Sequence, residues 1–258
     1  MTKRKPVVGI SLKLYLNSLQ KAAEFAEKID SLVGGISEVE QFLFPGIGTL
    51  YPTAMKLKNS HIGLGSQNIA PMANGAFTGE FSIESLIEMG GTYVEIGHSE
   101  RRAFFHESDD LIFEKVALTL EKNLTPVVCI GESKETTDFK WIKNFLEKQL
   151  FLDLKNIEPD KLENIIIAYE PVWAIGAENA ASTDHVAQVH AIIREILADF
   201  FGRKTAEKIR IIYGGSVSKD NVESIIDNDN VDGVFVGRFG HKPENYQSIV
   251  EIVKKIKT

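Results

Sequence analysis

The chain has 258 residues, of which 43% are apolar and 25% charged, a composition typical of a globular protein with a large core. The formal net charge of -7 argues against binding to nucleic acid or to an anionic membrane, because both require a basic face. No stretch approaches the roughly 20 apolar residues of a membrane span, and no apolar run of signal length follows the charged N-terminus. These features predict a soluble cytoplasmic protein.

Cys129 is the single cysteine, and it lies within the apolar run 126–130. One cysteine allows no intramolecular disulfide, which is consistent with a reducing compartment, and its surroundings indicate a buried core residue. The histidines do not have the spacing of metal ligands, and neither a dinucleotide-binding nor a triphosphate-binding glycine motif occurs. We therefore expect an enzyme without metal or cofactor.

Short runs rich in valine and isoleucine alternate with longer segments of helical periodicity along the whole chain. The first run begins near Val7, and a clear amphipathic helix is predicted from Ser18 to Val33. A second clear helix is predicted from Asp184 to Phe201, entered through the capping residues 182–184. The other runs of strand length begin near Gln41, His61, Thr92, Thr125, Asn164, Lys208 and Val231.

Eight strand-and-helix units in sequence predict parallel strands joined by crossover helices, an α/β fold. The length also fits a doubly wound sheet or two domains, but eight units in roughly 250 residues favour one closed (β/α)8 barrel. No linker or low-complexity tract divides the chain, so we expect a single domain over residues 1–258. Active sites of such barrels lie at the carboxyl ends of the strands. The residues that follow the runs are Lys13, Gln67, His98, Glu132, Glu170, 214–216 and 237–238.

Glu170 follows the apolar run 165–169 and precedes the segment 171–176, which begins with proline and ends with glycine. A strand-end carboxylate can act as a general base if burial raises its pKa towards neutrality. The segment behind it has the stiff ends of a moving lid. A carboxylate paired with a cation on a neighbouring strand is the structural alternative.

His98 stands between a predicted strand and a helix expected to begin near Ser99. The positive end of a helix disfavours imidazolium, so a neutral His98 could donate to a developing oxyanion. Lys13 ends the first strand and could hold a phosphate or polarise a carbonyl, although most lysines are surface charges. A lone histidine is also more often structural than catalytic.

Glycines follow the last two predicted strands, at Gly214-Gly215-Ser216 and at Gly237. Barrels of this kind bind phosphate on backbone N–H groups after these two strands. Turn glycines are common everywhere, but a pair at these two strand ends favours a phosphate site.

Three longer motifs resemble those of the triosephosphate isomerase family, and the resemblance covers essentially the whole chain. They are Ile-Gly-His-Ser-Glu-Arg-Arg at 96–102, Ala-Tyr-Glu-Pro-Val-Trp-Ala-Ile-Gly at 168–176 and Tyr-Gly-Gly-Ser-Val at 213–217. The resemblance implies a TIM barrel with Glu170 as the base, His98 as the electrophile and Lys13 as an electrostatic stabiliser. These roles, with Glu100 added to the catalytic residues, carry over the family's known mechanism.

The same resemblance implies a phosphosugar substrate and no cofactor. The residues it assigns to substrate binding, beside Ser11, are Gly176, Gly214, Gly215, Ser216, Gly237 and Arg238 through its N–H group. The segment 74–80 resembles the family's interdigitating dimer loop, so a homodimer is expected.

Three positions depart from the ordinary triose enzyme. The family's asparagine two residues before the lysine is Ser11, its lid sequence is replaced at 176–179, and its last paired glycines are Gly237-Arg238. These features resemble the family's L-erythrulose-1-phosphate isomerase branch, whose members act in erythritol breakdown. Ser11 frees space near the reacting carbons, and Arg238 adds a planar cation near the phosphate or across the mouth. The resemblance implies interconversion of L-erythrulose 1-phosphate and D-erythrulose 4-phosphate.

Two alternatives remain open from the sequence. The departures could be neutral changes in a triosephosphate isomerase of glycolysis, which would share all the catalytic residues. The chain could also be a phosphosugar-binding barrel without activity, although binding alone would not require Glu170, His98 and Lys13 together.

Overall fold

The computed structural model describes residues 4–176 and 180–258. Over these residues eight parallel strands close into a barrel in the order β1 to β8, with β1 paired to both β2 and β8. The fold class predicted from the sequence is confirmed. The strands are β1 Val7–Ser11, β2 Glu40–Phe44, β3 Ile62–Ser66, β4 Tyr93–Ile96, β5 Thr125–Ile130, β6 Ile166–Tyr169, β7 Arg210–Tyr213 and β8 Gly233–Val236.

Helices surround the barrel and join its strands. Those in the described part of the chain are α1 Leu19–Val33, α2 Leu50–Leu57, α3 Ile83–Glu88, α4 Ser99–Phe104, α5 Asp109–Glu121, α6 Phe139–Leu154, α7 Thr183–Phe201, α8 Arg203–Ala206, α9 Val222–Ile226 and α10 Pro243–Lys257. Short 3-10 turns are Ile47–Thr49, Leu162–Asn164, Val172–Ala174 and Arg238–His241. None of the helices in these described ranges is long and apolar enough to cross a membrane.

Capping side chains account for the starts of the two helices that the sequence predicted best. Ser18 accepts a hydrogen bond from the N–H of Lys21 at the start of α1, and Ser182 accepts from His185 at the start of α7. Both predicted helices are confirmed, and α7 begins one residue before the predicted Asp184. Each strand begins within two residues of its predicted start.

Successive side chains of each strand point alternately to two apolar layers, one outside and one inside the barrel. Outward residues such as Val8 and Ile10 pack under the helices, whereas the barrel interior holds a smaller cluster that includes Phe42, Phe44 and Cys129. Cys129 is buried, as predicted. This packed interior fills the barrel below the carboxyl ends of the strands, where active sites of such barrels lie.

Candidate active site

Glu170 stands directly after β6, where its N–H donates to the carbonyl of Ile130 at 2.8 Å. It is 5% exposed, and burial raises the pKa of its carboxyl above the ordinary value, against the opposing effects of His98 and Lys13. Its Oε2 atom has no hydrogen-bond partner among the described residues. A buried carboxylate with an unsatisfied oxygen facing a cavity is well suited to accept a proton from a bound substrate.

Gly214 makes the room that Glu170 occupies. A Cβ atom on Gly214 would lie 2.6 Å from Cγ and 2.7 Å from Oε1 of Glu170, which is closer than real contacts allow. The N–H of Gly214 also donates to the carbonyl of Tyr169 at 2.8 Å. The structure therefore gives Gly214 a clear role in placing the carboxylate, beside the substrate-binding role that the sequence predicted.

His98 caps the short helix α4. Its Nδ1 accepts a hydrogen bond from the N–H of Glu100 at 3.1 Å, so the proton of a neutral ring lies on Nε2. Nε2 lies 3.5 Å from Oε2 of Glu170. The ring therefore directs a donor N–H to the place where the carboxylate would act, and it can polarise an oxygen on the carbon beside the one that loses a proton.

Lys13 follows β1 in a left-handed backbone conformation, with a φ of 45°. The side-chain amide of Gln67 holds this conformation by donating to the Lys13 carbonyl at 3.0 Å. Nζ donates to Oε1 of Glu100 at 2.5 Å. Burial lowers the pKa of Lys13, but the hydrogen bond and charge of Glu100, with Glu170 and Glu95, raise it overall. The cation is therefore retained at the cavity.

Ser11 lies at the end of β1 and points into the barrel. Its Oγ donates to Oε2 of Glu95 at 3.1 Å, and both residues are buried. Ser11 was predicted from the sequence to belong to the site, but Glu95, which lies inside the apolar run of β4, was not. The available signal was a charged residue in the middle of a strand of a barrel with a packed interior.

Glu132 anchors the start of the segment that the sequence identified as a lid. Its Oε1 accepts from the indole N–H of Trp173 at 2.8 Å and from the hydroxyl of Tyr169 at 3.0 Å. Its carbonyl accepts from the N–H of Val172 at 2.9 Å. Glu132 is fully buried, so the structure places it under the lid and not among groups that face a substrate.

The loops after β7 and β8 hold the lid segment from the other side. Ser216, with a φ of 47°, donates from Oγ to the carbonyl of Ala174 at 2.8 Å. Arg238 donates from Nη2 to the carbonyl of Gly176 at 3.0 Å. The hydroxyl of Tyr213 accepts from the N–H of Ala181 at 3.1 Å. Gly176 is itself assigned to substrate binding, so its contact with Arg238 sets that guanidinium beside the residues expected to hold a phosphate.

A cavity of about 500 Å³ at the carboxyl face brings most of the predicted site together. The predicted residues that line it are Ser11, Lys13, His98, Glu100, Glu170, Gly176, Gly214, Ser216, Gly237 and Arg238. Gly215 is not among its lining residues, because it packs against the ring of Tyr213. Residues 177–179, where the lid sequence differs from that of the ordinary triose enzyme, lie outside the described residues. Asn221, which the sequence analysis missed, lines the cavity and donates to the Ser216 carbonyl.

The comparisons with known proteins agree with this geometry. The family model described as triosephosphate isomerase matches residues 6–253. The chain belongs to the triosephosphate isomerase family. It is 47% identical to the probable triosephosphate isomerase 2 of Listeria monocytogenes, covering 98% of this chain and 99% of that protein. It is 46% identical to triosephosphate isomerase 2 of Listeria innocua with the same coverage.

A third relative is triosephosphate isomerase of Carboxydothermus hydrogenoformans, which is 40% identical over 96% of this chain and 98% of that protein. Membership of the triosephosphate isomerase family makes this chain a phosphosugar isomerase, and the alternative of a binding barrel without activity is set aside. The choice between a triose and a tetrulose phosphate is finer than the family alone decides.

Proposed function

We propose that the protein interconverts L-erythrulose 1-phosphate and D-erythrulose 4-phosphate. In this reaction Glu170 takes the proton from C3 of the first ketose, an enediolate forms over C2 and C3, and the proton returns to C2. The hydroxyl proton moves between the two oxygens beside His98, while Lys13 stabilises the negative charge. The observation that carries the chemistry is the separation of 3.5 Å between Nε2 of His98 and Oε2 of Glu170.

The departures from the triose enzyme favour the longer substrate. Ser11 presents a short side chain on the wall of the cavity that also holds Lys13, His98 and Glu170. The family's asparagine would fill more of that space, and a tetrulose differs from a triose by one hydroxymethyl group.

The phosphate of this substrate would lie at the loops after β7 and β8. Gly176, Ser216 and Gly237 line the cavity there, and backbone N–H groups of such loops are favourable anion donors. Arg238 adds a guanidinium that contacts the lid carbonyl of Gly176. We propose that its positive charge supports the anion while its hydrogen bond positions the lid.

We also propose that the protein acts as a homodimer. A second cavity beside the site is lined by exposed apolar side chains, which include Leu14, Ile47, Phe104 and Phe105. Exposed apolar groups concentrated in this way mark an interaction surface. The segment 74–80 of a second copy is the proposed occupant of the outer part of this cavity, where these exposed side chains lie, because the segment is mostly exposed and resembles the family's dimer loop. The buried Ser11 and Glu95, at the inner end of the cavity, are outside this proposed contact.

The test of the reaction is kcat/KM of the purified enzyme for L-erythrulose 1-phosphate and for glyceraldehyde 3-phosphate, measured in the same buffer. A large preference for the tetrulose supports the proposal. A preference for the triose, near the diffusional ceiling of about 10⁸ M⁻¹s⁻¹, would make the protein a glycolytic triosephosphate isomerase.

A further inference from the structure

Glu95 is a carboxyl group inside the barrel. Tyr93 and Glu95 share the inward side of β4, and the register pairs Glu95 with Val127, a member of the interior apolar cluster. Burial of a carboxyl among apolar groups destabilises the fold unless polar partners compensate for the lost water. A residue that is 3% exposed in such a place therefore requires a polar partner or a ligand.

Ser11 is the hydrogen-bond partner of Glu95, and the bond joins β1 to β4 across the interior. The intervening strands leave space for this contact. On β3 the inward position is Gly65, over which the ring of Phe44 lies, and a Cβ at Gly65 would be 2.2 Å from that ring. Glu95 thus reaches Ser11 over an apolar floor.

Ser11 borders the space where a substrate binds, and Glu95 lies beside it at the buried end of the second cavity. Ser11 lines both cavities at the mouth, as do Lys13 and His98, and Glu95 lines the second of them. The charges of His98, Glu170 and Lys13 all act on the Glu95 carboxyl. The carboxyl of Glu95 shares the second cavity with Lys13 and His98, two of the groups proposed to carry out the chemistry.

The pair lies on the side of the cavity away from the proposed phosphate loops. In a closed barrel of eight strands, β4 lies opposite β8, and Glu95 is on β4 whereas Gly237 and Arg238 follow β8. A substrate with its phosphate at the β8 loop extends its other end towards β4. In L-erythrulose 1-phosphate that end is the hydroxymethyl group attached to C3.

Burial, and to a lesser extent the charge of Glu170, raise the pKa of the Glu95 carboxyl to about 7 against the lowering effect of His98. Near neutrality the carboxyl is therefore partly protonated and can accept from one hydroxyl while it donates to another. Ser11 supplies the first hydroxyl. The remaining hydrogen-bonding capacity suits an alcohol and not an anion, because a second negative charge beside Glu170 would be repelled.

We propose that Glu95 and Ser11 form a subsite that binds the terminal hydroxyl of a four-carbon sugar phosphate, the group that a three-carbon substrate lacks. This inference rests on the proposed function, since it assigns the specificity for the tetrulose to named atoms. It gives Glu95 a role in substrate selection in addition to its contact with Ser11.

The test measures binding without turnover. Erythritol 4-phosphate and glycerol 3-phosphate are polyol phosphates without a carbonyl, and they differ by one CHOH unit. We expect titration calorimetry to give tighter binding of erythritol 4-phosphate to the wild-type protein by about tenfold or more, because the shorter ligand leaves the polar groups of the subsite without their hydroxyl partner. Equal binding of both ligands, or a preference for glycerol 3-phosphate, would overturn the proposal.

Two kinds of variant then assign that preference. Glu95→Val and Ser11→Ala should each bring the ratio of the two dissociation constants close to one, whereas Glu95→Gln, which keeps hydrogen-bonding atoms, should retain part of it. If the role of Glu95 and Ser11 were purely structural, the variants would bind both ligands more weakly by the same factor. An unchanged ratio of the two dissociation constants would therefore contradict the subsite. If Glu95→Val does not fold, the ratio in Ser11→Ala decides the matter in the same way.

Failure of the subsite is distinguishable from failure of the proposed reaction. If the protein discriminates the two polyol phosphates through Glu95 but does not isomerise the tetrulose phosphate, the subsite is supported and the proposed reaction is wrong. If the protein isomerises the tetrulose phosphate but the ratio of the two dissociation constants is unchanged in both Glu95→Gln and Ser11→Ala, the reaction is supported and the subsite is wrong.

Discussion

Nε2 of His98 lies 3.5 Å from Oε2 of Glu170, and that carboxylate oxygen has no hydrogen-bond partner in the described part of the chain. The Nδ1 atom of the same ring already accepts from the backbone of Glu100. The two side chains therefore present a proton acceptor and a proton donor to one cavity. This relationship underlies the first prediction.

Replacement of the carboxyl in Glu170→Gln should lower kcat for the preferred substrate by about a thousandfold or more, because a general base contributes roughly 10² to 10⁴ and an amide cannot replace it. Binding of glycerol 3-phosphate should remain within a few-fold of wild type, since the variant is nearly isosteric. Steady-state kinetics and calorimetry measure the two effects. Glu163→Gln, on the surface before β6, is the matched control and should turn over normally. Wild-type turnover in Glu170→Gln would remove Glu170 from the mechanism.

Ser11→Asn should reduce kcat/KM for L-erythrulose 1-phosphate more than for glyceraldehyde 3-phosphate. The larger amide takes space on the cavity wall and removes the hydroxyl that donates to Glu95. The ratio of kcat/KM for the tetrulose phosphate to kcat/KM for the triose phosphate should fall by about ten- to two-hundred-fold, the range for steric and hydrogen-bond discrimination. Ser31→Asn, in the exposed last turn of α1, serves as the control. Equal losses for both substrates would show that Ser11 does not determine specificity.

Arg238→Gly should raise KM for the phosphorylated substrate, because the variant loses both a positive charge and the hydrogen bond to the lid carbonyl of Gly176. Arg238→Lys should recover part of the loss through its charge. Initial-rate kinetics at several substrate concentrations separate KM from kcat. The exposed Arg203→Gly controls for a change of charge alone. An unchanged KM with an altered kcat would place Arg238 outside phosphate binding and leave it a lid contact.

The pH dependence of stability should change in Glu95→Gln. The pKa of Glu95 is about 7 in the folded protein, whereas the ordinary value of a glutamate, which applies to the unfolded chain, is 4.5. Between pH 4.5 and pH 7 the unfolded chain has released a proton that the folded protein still holds. The contribution of Glu95 to the free energy of unfolding is therefore fully present below pH 4.5 and is lost as the pH rises to 7. The variant, relative to wild type, should therefore gain about 3 kcal/mol from pH 4.5 to pH 8.

Urea unfolding of both proteins at several pH values between 4.5 and 8 measures this difference. His98, Lys13 and Glu170 also act on Glu95, and they are present in both proteins, so the comparison isolates the substituted carboxyl with its couplings. A difference that is flat with pH would mean that Glu95 titrates normally in the folded protein.

Thr78→Arg should weaken the proposed dimer. Thr78 lies in the mostly exposed segment 74–80, and a charge placed there would have to be buried against the exposed apolar side chains of the second copy, such as Phe104 and Phe105. Light scattering coupled to gel filtration should give a dimer mass for the wild type and a monomer mass for the variant. Thr258→Arg adds the same charge at the end of α10 and should remain dimeric. A monomeric wild type would contradict the proposal directly.

The barrel could be predicted from the sequence because its strands are apolar on both faces and each is followed by a periodic helix. The strand-end rule then located Lys13, His98 and Glu170, and these three line one cavity. Glu95 was missed because an apolar run does not reveal which alternate residues face inwards. That direction follows only from the register, which sets Glu95 beside Val127.

The contacts of the lid could not be predicted from the sequence for a different reason. Ser216 was predicted as a phosphate ligand from its glycine motif and Arg238 from the family resemblance. The structure adds contacts that neither signal predicted, since their side chains donate to the carbonyls of Ala174 and Gly176. These contacts join residues some 40 to 60 positions apart, and their partners are backbone oxygens. Backbone oxygens occur at every residue, so no sequence pattern identifies which of them will be bonded.

The pairing of β1 with β8, in which Val7 lies opposite Gly233, constrains how the protein can be made. During synthesis on the ribosome, the first strand must wait for the last before its second edge is covered. The cavity draws Lys13 from the beginning of the chain and Arg238 from near its end, so a nascent chain has no complete site until almost all of it has emerged. Pairing over such a sequence distance is slow. Exposed strand edges during this interval make the unfinished chain prone to aggregation.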